Sequence, residues 1–131
     1  MNVSTRILMN VVGVAGLLGS GIAIAAMPAG DAAKGKAVFA RCSMCHSPEA
    51  DVNRLGPSLA SIVNQKAGKV SGFRYSSALT GSNIIWTRDN LNKFLISPRA
   101  MVPGTTMTFS GLPNPADRAD VIAYLATLTK Q

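Results

Sequence analysis

The pentapeptide Cys42-Ser43-Met44-Cys45-His46 constrains this chain more than any other feature. It is a C-x-x-C-H motif, and it contains both cysteines and the only histidine of the 131 residues. This spacing lets two thiols add to the two vinyl groups of one haem while the adjacent imidazole reaches the iron. The motif therefore predicts a fold built around one covalent haem c, with Cys42 and Cys45 as thioether residues and His46 as an iron ligand.

Two other uses of closely spaced cysteines fit this sequence less well. A structural zinc site normally has four ligands, whereas the motif supplies only Cys42, Cys45 and His46, crowded together. A disulfide-exchange site of the thioredoxin type follows a strand in a parallel sheet, and no strand pattern precedes these cysteines. With only two cysteines, the chain also has no disulfide framework to replace a missing core. Haem attachment remains the favoured interpretation.

The N-terminal segment is typical of a secretory signal. Residues 7–26 carry no charge, follow a lone Arg6 and end in small residues that include the A-x-A pattern Ala23-Ile24-Ala25. We expect residues 1–26 to be a signal peptide and residues 27–131 to form a single domain in the periplasm or another exported compartment. The alternative is an uncleaved membrane anchor, since about 20 uncharged residues can also cross a bilayer.

The charge balance is strongly basic, with 13 Lys and Arg against 6 Asp and Glu. Such a surface accelerates association with acidic partners. The basic residues are spread along the chain without a basic run, so we expect no nucleic-acid partner.

Three helices are indicated by capping residues and apolar spacing. Asp31 is the expected N-cap of the first, which runs into the cysteine motif. Thr87 is the expected N-cap of the second, which stops before Ser97-Pro98. The third begins with Asn114 as N-cap and Pro115 at its first position. The apolar face of this last helix comprises Val121, Ile122, Tyr124, Leu125 and Leu128.

The remaining sequence is rich in glycine and proline and predicts long loops, with one possible short helix over residues 58–64 and a loop over residues 99–115. No alternating apolar run is long enough to predict a strand. We therefore expect an all-α domain of three to four or five short helices. Long loops order many residues while burying little apolar surface, so a large apolar group at the centre would stabilise this fold.

These features together resemble the class I cytochrome c family, bacterial type, over about residues 30 to 131. The motifs that carry the resemblance occur in the family's order. They are residues 30–39, the cysteine motif, Gly56-Pro57-Ser58-Leu59, Gly72-Phe73-Arg74-Tyr75, Trp86, and the loop Pro103-Gly104-Thr105-Thr106-Met107.

The resemblance implies the second ligand of the iron. A methionine thioether suits that position in an electron carrier, and the residues alone leave Met101 and Met107 as candidates within the domain body. By its place in the late P-G-T-x-M loop, Met107 matches the family's axial methionine. His46 and Met107 are thus the expected metal ligands.

The resemblance also implies supporting residues. Pro57 looks like the residue whose carbonyl accepts the His46 ring N–H, which orients the imidazole. Tyr75 and Trp86 resemble the donors to a buried haem propionate. Gly35 and Phe39 look like the face of the first helix that packs on the last.

Two positions depart from the common family pattern. Gln65 stands where many members have an arginine near the inner propionate, and Phe94 stands where many have a tyrosine near the ligand methionine. Both changes affect the surroundings of the haem and not its ligation, so they leave the reduction potential open.

The expected function is an exported carrier of single electrons between respiratory or photosynthetic membrane complexes, without catalytic residues. The expected partners are acidic docking surfaces on a quinol–cytochrome c reductase, a terminal oxidase or a reaction centre, with Arg41 and Arg99 as candidates to orient them. We expect a monomer. The alternatives are a haem enzyme or sensor with a displaceable distal ligand, and a fixed cytochrome subunit of an oxidoreductase complex.

Overall fold

The computed structural model describes Gly21 and residues 26–129. The predicted signal segment therefore lies outside the described residues, apart from Gly21 and Ala26. The described chain forms five α-helices in the order α1 (Ala32–Val38), α2 (Ser77–Thr80), α3 (Arg88–Ile96), α4 (Pro98–Met101) and α5 (Pro115–Thr127). A 3-10 turn, Phe39–Arg41, continues α1.

The β-structure in this part of the chain is limited to one isolated antiparallel bridge between Lys66 and Ile85. The prediction of an all-α fold with long loops is therefore confirmed. None of the described helices is long and apolar enough to cross a membrane.

The three predicted helix starts are confirmed. The Asp31 carboxylate accepts hydrogen bonds from two backbone N–H groups of α1, at 2.9 and 3.2 Å. The Thr87 hydroxyl accepts one from α3 at 3.2 Å, and the Asn114 side-chain oxygen accepts one from α5 at 2.9 Å. Pro115 occupies the first turn of α5, where its missing N–H has no helical partner to lose.

The predicted helix over residues 58–64 is wrong. Its backbone N–H groups bond to distant segments, since Ser61 donates to the Leu128 carbonyl at 2.7 Å and Asn64 donates to the Trp86 carbonyl at 2.9 Å. Ser61 and Asn64 also adopt positive φ angles of 59° and 66°, which a right-handed helix excludes. This segment is a series of turns whose backbone is hydrogen-bonded to Trp86 and Leu128.

Two short helices, α2 and α4, lie in segments for which the sequence predicted loops. α2 is a single turn capped by the Ser76 hydroxyl. α4 begins at Pro98, directly after α3 ends, and the Ser97 hydroxyl accepts a hydrogen bond from the Ala100 N–H at 3.3 Å. The predicted stop before Pro98 is thus correct, but a new helix starts at the proline, since its fixed φ suits a first helical position.

The packing of α1 on α5 forms one end of the core. A Cβ on Gly35 would overlap the backbone carbonyl of Asp120, so only glycine allows the two helices to approach this closely. The rings of Phe39 and Tyr124 lie 5.2 Å apart beside this crossing. The predicted contact of Gly35 and Phe39 with the last helix is confirmed.

Candidate functional site

A cavity of about 670 Å³ lies between the cysteine motif, α3, α5 and the loop that follows α4. Much of its wall is apolar and comes from both long helices. The part of the wall contributed by α3 and α5 comprises Leu91, Phe94, Leu95, Val121 and Leu125. Every one of these side chains belongs to the buried core, so the cavity lies within the hydrophobic core of the domain.

The cysteine motif forms a tight turn on one side of the cavity. The N–H groups of Cys45 and His46 both donate to the Cys42 carbonyl, at 3.0 and 2.9 Å. This turn places Cys42, Cys45 and His46 together in the wall. Both cysteines are free thiols in the structure.

The Cys42 thiol differs from the thiols of disulfide-exchange sites. Burial raises its pKa to about 11, opposed by the positive charge of Arg41 and assisted by Cys45. Reactive cysteines in exchange sites have a lowered pKa, since the thiolate is the nucleophile. The environment of Cys42 therefore argues against a redox-active disulfide and is compatible with a buried thioether.

The His46 ring is oriented by a hydrogen bond to Pro57. Its Nδ1 lies 2.7 Å from the Pro57 carbonyl oxygen, and because a carbonyl only accepts, Nδ1 carries the proton. Burial lowers the pKa of His46, which outweighs the opposite effect of the Pro57 hydrogen bond. The imidazole is therefore neutral at neutral pH, with an Nε2 lone pair available to a metal.

Gly56 packs flat against this imidazole. A Cβ at this position would overlap the His46 ring, with the Nδ1 atom only 2.7 Å away. The Gly56 N–H donates to the Cys45 carbonyl at 2.8 Å, which ties this loop to the motif. The Gly56-Pro57 pair is visible in the sequence as a loop signal. The sequence does not show that Gly56 is needed to accommodate the His46 ring.

Met107 lies in the cavity wall, whereas Met101 does not. The loop that carries Met107 is held by a turn in which the Thr105 N–H donates to the Val102 carbonyl at 3.1 Å. The Met107 N–H donates in turn to the Thr105 hydroxyl at 3.2 Å. Met101 packs on the core from α4. Of the two candidate methionines, the fold thus brings one to the same cavity as His46.

Tyr75 and Trp86 also reach the cavity. The Tyr75 hydroxyl accepts a hydrogen bond from the Val70 N–H at 3.1 Å, and burial raises the pKa of the phenol, so it stays protonated. Within residues 26–129, neither this O–H nor the Trp86 indole N–H donates to a protein acceptor. Two donors are therefore left for a polar or anionic group at this end of the cavity.

Of the two arginines expected near the site, only Arg41 belongs to the cavity wall. It forms a long ion pair with Asp117, at 4.0 Å, and its side chain remains 60% exposed. Arg99 lies exposed on α4 and outside the wall. Phe94 lines the cavity and packs edge-on against Trp86 with ring centroids 4.8 Å apart. Gln65 lies outside the cavity wall, and its backbone carbonyl accepts a hydrogen bond from the Trp86 N–H at 2.8 Å.

Comparison with known proteins identifies the family to which this arrangement belongs. The family description of cytochrome c matches residues 32–129, most of the described chain. The chain belongs to the cytochrome c family. It is 49% identical to a cytochrome c2 of Rhodomicrobium vannielii over 104 residues, 78% of this chain and 82% of that protein. It is 47% identical to cytochrome c2 iso-2 of Magnetospirillum fulvum over 90 residues, 69% of this chain and 94% of that protein.

A solved structure shows the same fold. Cytochrome cH from Methylobacterium extorquens superposes with a TM-score of 0.72 at 42% identity, covering 75% of this chain and 99% of that one. Family membership confirms the resemblance drawn from the sequence motifs, and it means that this cytochrome carries one covalent haem c and transfers electrons.

The cavity of this cytochrome fits such a group. A haem is a flat apolar macrocycle with two anionic propionates at one edge, and the wall is mostly apolar with two unpaired donors, Tyr75 and Trp86. The donor set of two thiols, a neutral imidazole and a thioether is the set that a c-type haem uses. Gly56 lets its loop lie against the His46 ring, because a Cβ at this position would overlap the imidazole.

Proposed function

We propose that this cytochrome is an exported carrier of single electrons, with Cys42 and Cys45 as the thioether residues and His46 and Met107 as the axial ligands. The observation that carries the proposal is the convergence of these four side chains on one apolar cavity. Haem supplies an iron that alternates between the ferrous and ferric states, which is a one-electron exchange without bond making.

The protein's own residues set the conditions for that exchange. Pro57 holds the His46 ring in one tautomer through the 2.7 Å hydrogen bond, so the ligand needs no rearrangement when the iron changes charge. A second ligand from Met107 leaves no open position for a substrate, which favours a carrier over an enzyme. Tyr75 and Trp86 supply hydrogen bonds to a propionate, which stabilise its charge inside an apolar wall.

The proposed setting is the periplasm or a similar exported compartment, with residues 27–131 as the functional domain after removal of a signal peptide. Relatives named cytochrome c2 support this assignment. The proposed partners are acidic surfaces on a quinol–cytochrome c reductase and on a terminal oxidase or a reaction centre, which the cytochrome visits as a monomer.

Reconstituted electron transfer tests the function. Purified holoprotein should carry electrons from a quinol–cytochrome c reductase to a cytochrome c oxidase, with turnover that rises with its concentration until the enzymes saturate. A protein that is reduced by dithionite but does not connect the two enzymes at any concentration would contradict the shuttle.

Arg41 provides a test of electrostatic steering. Arg41→Gln should lower the second-order rate constant with cytochrome c oxidase by about threefold at low ionic strength, because a positive charge at the cavity rim is lost. The effect should disappear at high salt, where screening acts over a few ångströms. The matched control is Lys36→Gln on the exposed face of α1, outside the cavity wall, and it should change the rate less. Equal effects of the two substitutions would contradict steering by Arg41.

A further inference from the structure

The Asn53 side chain joins two loops near the cysteine motif. Its Oδ1 accepts a hydrogen bond from the Ser58 N–H at 2.9 Å, and its Nδ2 donates one to the Ser71 carbonyl at 2.9 Å. An N–H can only donate and a carbonyl can only accept, so these partners fix which end of the carboxamide is oxygen. Asn53 is half-buried and lies outside the cavity wall. Any influence on the haem must therefore pass through another residue.

The bond to Ser58 reaches the peptide group that orients the proposed iron ligand. Pro57 and Ser58 share this peptide group. Its carbonyl oxygen, on Pro57, lies 2.7 Å from His46 Nδ1. Its N–H, on Ser58, donates to the Asn53 side chain. One peptide group thus accepts from the imidazole at one end and is itself bound by a carboxamide at the other.

These hydrogen bonds all run in the same direction. The His46 ring N–H donates to the Pro57–Ser58 peptide group. That peptide group donates to the Asn53 carboxamide, which donates to Ser71. An amide whose N–H donates becomes a stronger acceptor at its carbonyl oxygen, and aligned amides polarise one another in this way. Asn53 therefore strengthens the bond between Pro57 and His46, which makes the imidazole a more basic ligand.

The effect depends on the side chain at position 53. Ser58 is only 2% exposed, so removal of the Asn53 carboxamide would leave a buried N–H without its acceptor. The N–H groups of Gly56 and Leu59, on either side, donate to backbone carbonyls at 2.8 and 2.9 Å. A substitution cannot delete those backbone acceptors. Of these three bonds, the one from Ser58 is the one that a side chain controls.

We propose that Asn53 is a positioning residue that tunes the reduction potential of the haem through the Pro57–Ser58 peptide group. The proposal rests on the proposed function, in which His46 is an iron ligand. A more basic imidazole favours the ferric state, so Asn53 holds the potential below the value that the bond between His46 and Pro57 alone would set. The bond to Ser71 aligns the carboxamide for this role.

Asn53→Ala tests the relay. In the reduced, diamagnetic holoprotein, the NMR signal of the His46 Nδ1 proton should move upfield, and the proton should exchange with solvent roughly tenfold faster, because its acceptor is weakened. The one-electron equilibrium should shift about threefold towards the ferrous state. This shift raises the potential by about 30 mV, since a tenfold change corresponds to about 59 mV.

Asn90→Ala is the matched control. It also removes a carboxamide that holds a loop, since Asn90 Nδ2 donates to the Ile85 carbonyl at 2.8 Å, and neither residue belongs to the cavity wall. This variant should leave the ring signal and the potential at their wild-type values. An Asn53→Ala variant with an unchanged ring signal or an unchanged potential would overturn the proposal, and so would equal shifts in the two alanine variants.

Asn53→Asp separates the relay from a role in joining loops. At neutral pH, aspartate keeps an acceptor for the Ser58 N–H but cannot donate to the Ser71 carbonyl. The ring signal should therefore return at least to its wild-type position, and the potential should lie at or below the wild-type value, while thermal stability stays low. A ring signal like that of Asn53→Ala would show that Asn53 only joins loops. A wild-type spectrum without histidine-ligated iron would instead refute the proposed function, before any variant is compared.

Discussion

Met107→Ala should convert the oxidised protein from a low-spin to a high-spin haem spectrum, with loss of the weak sulfur-to-iron band in the red region. Met107 lies in the cavity wall together with His46, and alanine has no donor atom to replace the thioether. The haem should stay covalently attached, because the proposed thioether residues Cys42 and Cys45 are unchanged. The reduction potential should fall, since a methionine ligand favours the ferrous state.

Met101→Ala is the matched control. Met101 packs on the core from α4 and takes no part in the cavity wall, so its removal should lower stability without changing the spectrum. A high-spin spectrum from Met101→Ala with a wild-type spectrum from Met107→Ala would reverse the assignment. A high-spin spectrum in the wild-type protein would favour the haem enzyme or sensor over the carrier.

Gly56→Ala should displace the His46 ring and destabilise the holoprotein by roughly 3 kcal/mol or more, combining overpacking with a weakened hydrogen bond. The added Cβ overlaps the imidazole, and the ring cannot move away without lengthening the 2.7 Å contact to Pro57. Thermal unfolding followed in the haem absorption band measures the loss.

Gly81→Ala is the control for adding a methyl group to a loop glycine. Gly81 has a φ of −83°, and its new Cβ would lie 3.1 Å from the nearest atom, the Ser77 carbonyl oxygen, so the change should cost much less. If the two alanine variants unfold at the same temperature, Gly56 does not make room for the histidine ring.

The helices that could be predicted from the sequence are those with local signals. Asp31, Thr87 and Asn114 mark helix starts because each side chain caps the residues that directly follow it. The single turns α2 and α4 are too short to show an apolar period. The segment 58–64 was predicted wrongly because its backbone bonds to distant residues such as Leu128, and no local pattern encodes that contact.

Some residues of the site could likewise be predicted from local sequence, and others could not. The turn that groups Cys42, Cys45 and His46 follows from the spacing of five consecutive residues. The choice of Met107 over Met101 needed the family resemblance, since loop composition alone does not say where a side chain ends.

A spectroelectrochemical titration of the wild-type holoprotein tests the electron-carrier assignment most directly. We expect a single reversible one-electron transition, a low-spin spectrum in both redox states, and the red sulfur-to-iron band in the oxidised protein. We also expect no binding of carbon monoxide to the reduced protein at neutral pH, since in the proposed assignment His46 and Met107 would both be ligands of the iron. A high-spin oxidised state, or ready binding of carbon monoxide, would show that one axial position is open and would contradict the carrier.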